Sequence, residues 1–102
     1  MTEKQKMLMG ILYNAEDQAL IEERNHAKSI TRQFNEHWED KGRRNYLLGQ
    51  IFGSLGKNVH LEAPIYLDYG YRTTIGSDFF SNFNLSILDG GGVEIGNHVF
   101  IG

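Results

Sequence analysis

The chain has 102 residues, 40% of them hydrophobic and 23% charged, which fits one small globular unit and excludes a disordered chain. Net charge is −3 and cysteine is absent, so a nucleic-acid footprint, a disulfide framework, a thiolate zinc site and a catalytic thiol are set aside together. No apolar run approaches the ~18–20 residues that cross a bilayer, and the charged start Met-Thr-Glu-Lys-Gln-Lys does not read as a signal peptide, so the expected location is cytoplasmic, without membrane or nucleic-acid partners.

Composition changes near Leu55. Residues 1–55 hold eight Lys/Arg, eight Asp/Glu and four of the twelve glycines, whereas the shorter remainder holds the other eight glycines and is richer in Val, Ile and Thr. The first stretch suits helices and the second suits short strands and turns. The boundaries drawn are a helical region over 1–56 and a β region over 57–102.

In chain order, Thr2-x-x-Gln5 is a capping-box pattern, followed by Met7, Leu8, Ile11 and Leu12 at helical spacing. Asn14 is expected to cap a second helix with Asp17 in its first turn, and Leu20, Ala27, Ile30, Phe34 and Trp38 recur along one face. Asp40 to Gly42 reads as a break. Leu47, Leu48, Ile51, Phe52 and Leu55 then form a third stripe, expected to end at Gly56 as its C′ residue.

Beyond Gly56 the period becomes six. Steps of six from Val59 reach Ile65, Tyr71, Ser77, Phe83, Asp89, Ile95 and Ile101. A second series runs Ala63, Tyr69, Ile75, Ser81, Ile87, Val93 and Val99. Two interleaved six-residue series with glycines after the aliphatics predict a hexapeptide β-helix, in which each flat side is a short strand and small residues turn the corners. Six is also a multiple of two, so a small α+β domain with an antiparallel sheet is the competing fold.

Several segments together resemble the maltose/galactoside O-acetyltransferase family. They are Met7 to Tyr13, Tyr13-Asn14-Ala15-Glu16-Asp17, Asp68-Tyr69-Gly70, Ser81-Asn82-Phe83-Asn84, and Asp89-Gly90-Gly91 with the Val93 to Gly102 segment. The resemblance implies an α+β chain, with an N-terminal helical cap followed by the first coils of a left-handed parallel β-helix. It also implies an acetyl-CoA-dependent enzyme that acetylates a sugar hydroxyl, as a homotrimer with active sites between subunits. Position by position it implies Asn82 as the oxyanion stabiliser, with Asn14, Asp17, Arg24, Asp68, Phe80 and Asp89 on the acceptor side. Asn14 stands where many members have Asp, and Gly90 where galactoside-type members have a second Asp. The family's acetyl-CoA contacts fall mostly in later coils.

The resemblance also implies a general-base histidine within a Thr-x-His-Pro-like segment that this chain does not contain. His26, His37, His60 and His98 match no such position, so the expectation is a truncated solenoid whose own activity is in doubt. An inert sugar-binding or oligomerisation fragment is the alternative. A zinc hydratase on the same scaffold would need three converging ligands, and only His60 and His98 lie in the β region, so no metal is expected. Gly90-Gly91-Gly92 lacks a following Lys-Ser/Thr and reads as a turn rather than a phosphate loop. Tyr66, Tyr69 and Tyr71 read as edge packing, with Tyr69 a candidate for sugar stacking.

Overall fold

In a computed structural model describing residues 1–102, three helices precede eight short strands. Helix α1 (Glu3–Met9) opens with the expected capping box, in which the Thr2 hydroxyl accepts the Gln5 N–H and the Gln5 side chain accepts the Thr2 N–H. Gly10 ends it at φ 73°, a left-handed conformation that glycine adopts without a Cβ penalty.

Helix α2 (Gln18–Glu36) starts later than the sequence suggests, with Asp17 rather than Asn14 as its N-cap. The Asn14 side chain instead accepts the Glu16 N–H at 3.0 Å, a local turn that competes with helix. The expected break falls at 37–40, slightly earlier than drawn, and Asp40 in it caps α3 (Lys41–Ile51), its carboxylate accepting the Arg43 N–H at 3.1 Å. The third stripe is split. Phe52 caps α3 and Leu55 belongs to strand β1 (Ser54–Leu55), so Gly56 is a corner of the β region and not a helix C′ residue.

Strands β2 (Val59–Leu61), β3 (Ile65–Leu67), β4 (Thr73–Ile75), β5 (Phe79–Ser81), β6 (Leu85–Ile87), β7 (Val93–Ile95) and β8 (Phe100–Ile101) complete the chain. They form three parallel sheets, β1-β4-β7, β2-β5-β8 and β3-β6. All pairings are parallel, so the antiparallel alternative is excluded. Every register partner lies twenty residues further on, for example Val59 with Phe79 and Thr73 with Val93. A coil is therefore two residues longer than three hexapeptides, and those two residues sit at one corner, between β3 and β4 and again between β6 and β7. The six-residue series thus slips after Ile65 and again after Leu85. The inward residue is Thr73 where the first series names Tyr71, and Tyr71 is exposed.

A second corner is laddered. Gly56, Gly76 and Gly96 stack in successive coils, and a Cβ on Gly56 would lie 2.5 Å from the Gly76 carbonyl carbon. Two residues further on, Asn58, Asp78 and His98 each take φ near +58° (57°, 59° and 58°). Asn58 donates to Asp78 at 3.0 Å, and His98 lies 3.4 Å from the other Asp78 oxygen. His98 is therefore a solvent-facing corner residue.

Helices and coils share one core. Phe34, Leu48 and Ile51 pack with Leu61, Ile65 and Phe79, each burial contributing about 1.5–3 kcal/mol. The coil begins at Ser54, slightly before the compositional boundary at 57. Helix α2 also covers the open strand edges of the first coil. The Asn35 side chain donates to the Ile65 carbonyl at 3.0 Å and accepts the Ile65 N–H at 2.8 Å. Trp38 Nε1 donates to the Leu61 carbonyl at 2.8 Å. Two side chains thus satisfy three backbone groups of β2 and β3 that a preceding coil would otherwise pair.

Candidate active site

The long corner gathers one group of the candidate residues. Asp68, Tyr69 and Gly70 follow β3, and Asp89, Gly90 and Gly91 occupy the same corner one coil later. Gly70 has φ 78°, and a Cβ there would lie 2.5 Å from the Ile51 carbonyl oxygen, so only glycine lets this corner pass under α3.

Tyr69 is buried at the centre. Arg24 Nη1 on α2 donates to its hydroxyl at 2.7 Å, while Nη2 donates to the Ala15 carbonyl at 2.7 Å. The hydroxyl bond is the leading cause that raises the Arg24 pKa, and the negative charges of Asp68 and Glu16 add to it. Burial pushes the Tyr69 phenol up, against the lowering effect of Arg24. Tyr69 therefore orients Arg24 and is not a free stacking platform: its ring packs with Met7 and Leu20, and Tyr71 meets it edge-on at 6.1 Å.

Asp89 differs from the expectation of an acceptor contact. Its side chain is wholly buried, accepting the Tyr69 N–H at 2.8 Å and the Thr73 hydroxyl at 2.9 Å. In the chain as it stands it holds the corner of the coil beneath and does not face solvent. Its place next to the glycines is plain from the sequence, but these inward partners are not, because the two-residue slip hides that Thr73 points inward.

The segment from Tyr13 to Asp17 leans on the same corner. Glu3 Oε1 accepts the Asn14 N–H at 2.6 Å, which ties this loop to α1 and leaves the Asn14 side chain exposed. Glu3 is not a candidate on sequence grounds, since nothing in the spacing from 3 to 14 signals the contact. Asp17 caps α2 by position, without a side-chain bond.

Phe80 and Asn82 form a second group on β5 and the corner after it. The Phe80 ring stacks on His60 at 5.4 Å with planes 3° apart, and Trp38 meets His60 edge-on at 5.9 Å. His60 Nε2 lies 3.2 Å from Glu62. Asn82 is exposed; its backbone N–H donates to Ile101 and its side-chain amide has no partner within the chain. His26 and His37 are exposed on the helical region.

One chain does not bring the two groups together. Asn82 opens the side that contains β6, while Asp68 donates its N–H to Ile87 at the far end of that strand. A six-residue side spans roughly 20 Å, too far for both to touch one small acceptor. No three His, Cys, Asp or Glu side chains converge anywhere in the chain, and no helix is long and apolar enough to cross a membrane.

Twenty-residue triangular coils, laddered corners and a helical cap define a hexapeptide-repeat β-helix of the left-handed acyltransferase type. The profile of the maltose acetyltransferase hexapeptide capping motif matches residues 6–56, and the chain belongs to that family. A maltose O-acetyltransferase from Clostridium difficile superposes with a TM-score of 0.93 at 44% identity, over 98% of this chain and 54% of that one. A hexapeptide-repeat acetyltransferase from Vibrio cholerae, solved with acetyl coenzyme A, gives a TM-score of 0.85 at 30% identity, over 99% and 55% of the two chains. The galactoside O-acetyltransferase of Escherichia coli is 34% identical over 98 residues, 95% of this chain and 48% of that protein. The chain spans about half the length of the curated relatives it matches.

Proposed function

We infer that the chain carries acceptor-side machinery of an acetyl-CoA-dependent O-acetyltransferase that acts on a sugar hydroxyl. The observation that supports this most is Asn82, an uncharged amide left free at an exposed corner beside Phe80, in a chain of this family.

Transfer of acetyl from a thioester to a hydroxyl passes through a tetrahedral oxyanion. The Asn82 amide can donate to that oxygen without bringing a charge into a dry site, and one such donor is worth about 3 kcal/mol in the transition state. Asn14, Asp17, Arg24 and Asp68 would bind the sugar, and Phe80 would offer it an apolar wall. Asp89 would act from behind, through Tyr69. The proton of the attacking hydroxyl needs a base. His60 is stacked on Phe80 and paired with Glu62, and His98 is paired with Asp78, so neither is given that role. The separation of Asn82 from Asp68 is resolved if the site forms between copies, with Asn82 of one facing Asp68 of the next. A homotrimer with residues 1–56 as the cap and 57–102 as the coil meets that need.

The test is acetyl transfer from acetyl-CoA to maltose and to a galactoside, followed by thiol release, with sugar binding measured by NMR. Transfer that falls about 10²–10³-fold in Asn82→Ala supports the reading. Sugar binding without thiol release reduces the chain to a binding module. The absence of both binding and transfer defeats the reading.

A further inference from the structure

The geometry points to a separate binding site in the cavity between α2 and the end of α3, which takes a primary ammonium carried on a small apolar body and holds it by the Glu23 carboxylate. The inference stands apart from the acetyl-transfer reading, and Glu23 has no role in that reading.

The cavity holds about 630 Å³, within the range of small-molecule sites. Ala27, Ile30 and Ile51, with the rings of Tyr69 and Tyr71, make its apolar part. Asn14, Asp68 and Asn82 do not line it, and Arg24, bonded to the Tyr69 hydroxyl, lies outside it too.

Glu23 is the group in its wall that needs a partner. Oε2 takes the Lys4 ammonium at 2.9 Å. Oε1 is sealed from solvent and accepts no hydrogen bond within the chain. The Tyr71 phenol is near enough for Glu23 to raise it, but it closes no bond to Oε1. A carboxylate oxygen without water and without a donor is costly to keep, and a donor brought by a ligand through the cavity removes that cost.

The chain itself shows which charge the wall accepts. The Lys4 ammonium rests on Glu23 and stands 5.4 Å from the centre of the Tyr71 ring, so a carboxylate and an aromatic ring together already hold one cation. Two carboxylates, Glu22 and Glu23, face that single ammonium, which leaves the wall net negative with His26 neutral. An anion is repelled there. An ammonium gives Oε1 its donor and balances the second carboxylate, while an attached hydrocarbon covers Ile30 and Ile51.

The experiment titrates the unaltered 102-residue chain with 2-phenylethylammonium, with the neutral 2-phenylethanol and with the anionic 3-phenylpropionate, following backbone amides by NMR. The ammonium shifts amides of residues 22–27 and 69–71, the alcohol binds about five- to tenfold more weakly, and the carboxylate does not bind. Glu23→Gln keeps the shape and removes the charge, and ammonium affinity drops about tenfold or more. Lys4→Met frees Oε2 and moves affinity the other way, raising it about two- to fivefold. Equal ammonium affinity in Glu23→Gln and the unaltered chain overturns the proposal. So does a carboxylate that binds as tightly as the ammonium, a loss of affinity in Lys4→Met, a set of shifts confined to residues away from the cavity, or no binding of the ammonium at all. Maltose binding and thiol release test the acceptor reading separately, so either reading can fail while the other stands.

Discussion

The Glu3 carboxylate joins two segments: one oxygen accepts the Asn14 backbone N–H at 2.6 Å and the other holds the Lys6 ammonium at 2.8 Å. A seven-residue helix with much of its surface exposed thereby restrains a loop that bears Asn14, a proposed acceptor residue.

The restraint depends on pH in one direction. The Lys6 ammonium and the Asn14 N–H hold the Glu3 carboxyl below the usual carboxylate range. A lowered folded pKa means the stabilisation is complete above the unfolded value of about 4.3 and is lost as pH falls through the folded one. The Asn14 amide nitrogen shift, followed by NMR from neutral to acid pH, should move with a midpoint below that value. Glu3→Gln should abolish the step, and an unaltered step in that variant would assign it elsewhere.

Asn35 predicts a cost out of proportion to its size. Asn35→Ala leaves both the N–H and the carbonyl of Ile65 without partners at a partly buried edge, at about 2 kcal/mol. Asn35→Asp keeps the acceptor and loses the donor, and should fall between. Urea unfolding measures both.

Two glycines should respond to alanine with opposite signs. A Cβ at Gly76 would lie 2.7 Å from backbone atoms of Gly96 in the next coil, so Gly76→Ala must push adjacent coils apart and costs about 1–3 kcal/mol. Gly49, inside α3, has nothing within 4 Å, so Gly49→Ala should stabilise by about 0.5–1 kcal/mol. Thermal unfolding of the pair checks both signs, and destabilisation by Gly49→Ala would show the α3 face to be covered.

Alkali should loosen the long corner. Burial pushes the Tyr69 phenol up, and the Tyr71 phenol, on a residue that is exposed overall, is pushed up by desolvation around it and by the Glu23 carboxylate. A raised folded pKa contributes stability that is whole below the unfolded value of about 10 and is lost as pH rises through the folded one. Absorbance titration should find late-ionising tyrosines whose ionisation coincides with unfolding. Tyr71→Phe should remove some of the pH dependence.

What is legible in the sequence follows the range of the interactions. Thr2 and Gln5 are three residues apart, and their capping box can be read directly. The hexapeptide pattern is legible because inward residues alternate along each side. Its true repeat is not, since two extra residues at one corner leave six-step spacing intact elsewhere. That slip conceals Thr73 as an inward residue, and with it the burial of Asp89. Asn14 reads wrongly as a cap because Asn and Asp both suit that place, and the turn from Asn14 to Glu16 decides between them. The bond between Glu3 and Asn14 depends on how α1 and the loop after it are placed, which no local spacing records.

The contacts of Asn35 and Trp38 with the lowest rung give the stack a floor. Strand edges recruit neighbours because their amides and carbonyls are left open, and at β2 and β3 those openings are already taken by an amide and an indole. End-to-end pairing of the kind bare solenoids invite is therefore hindered on the helical side.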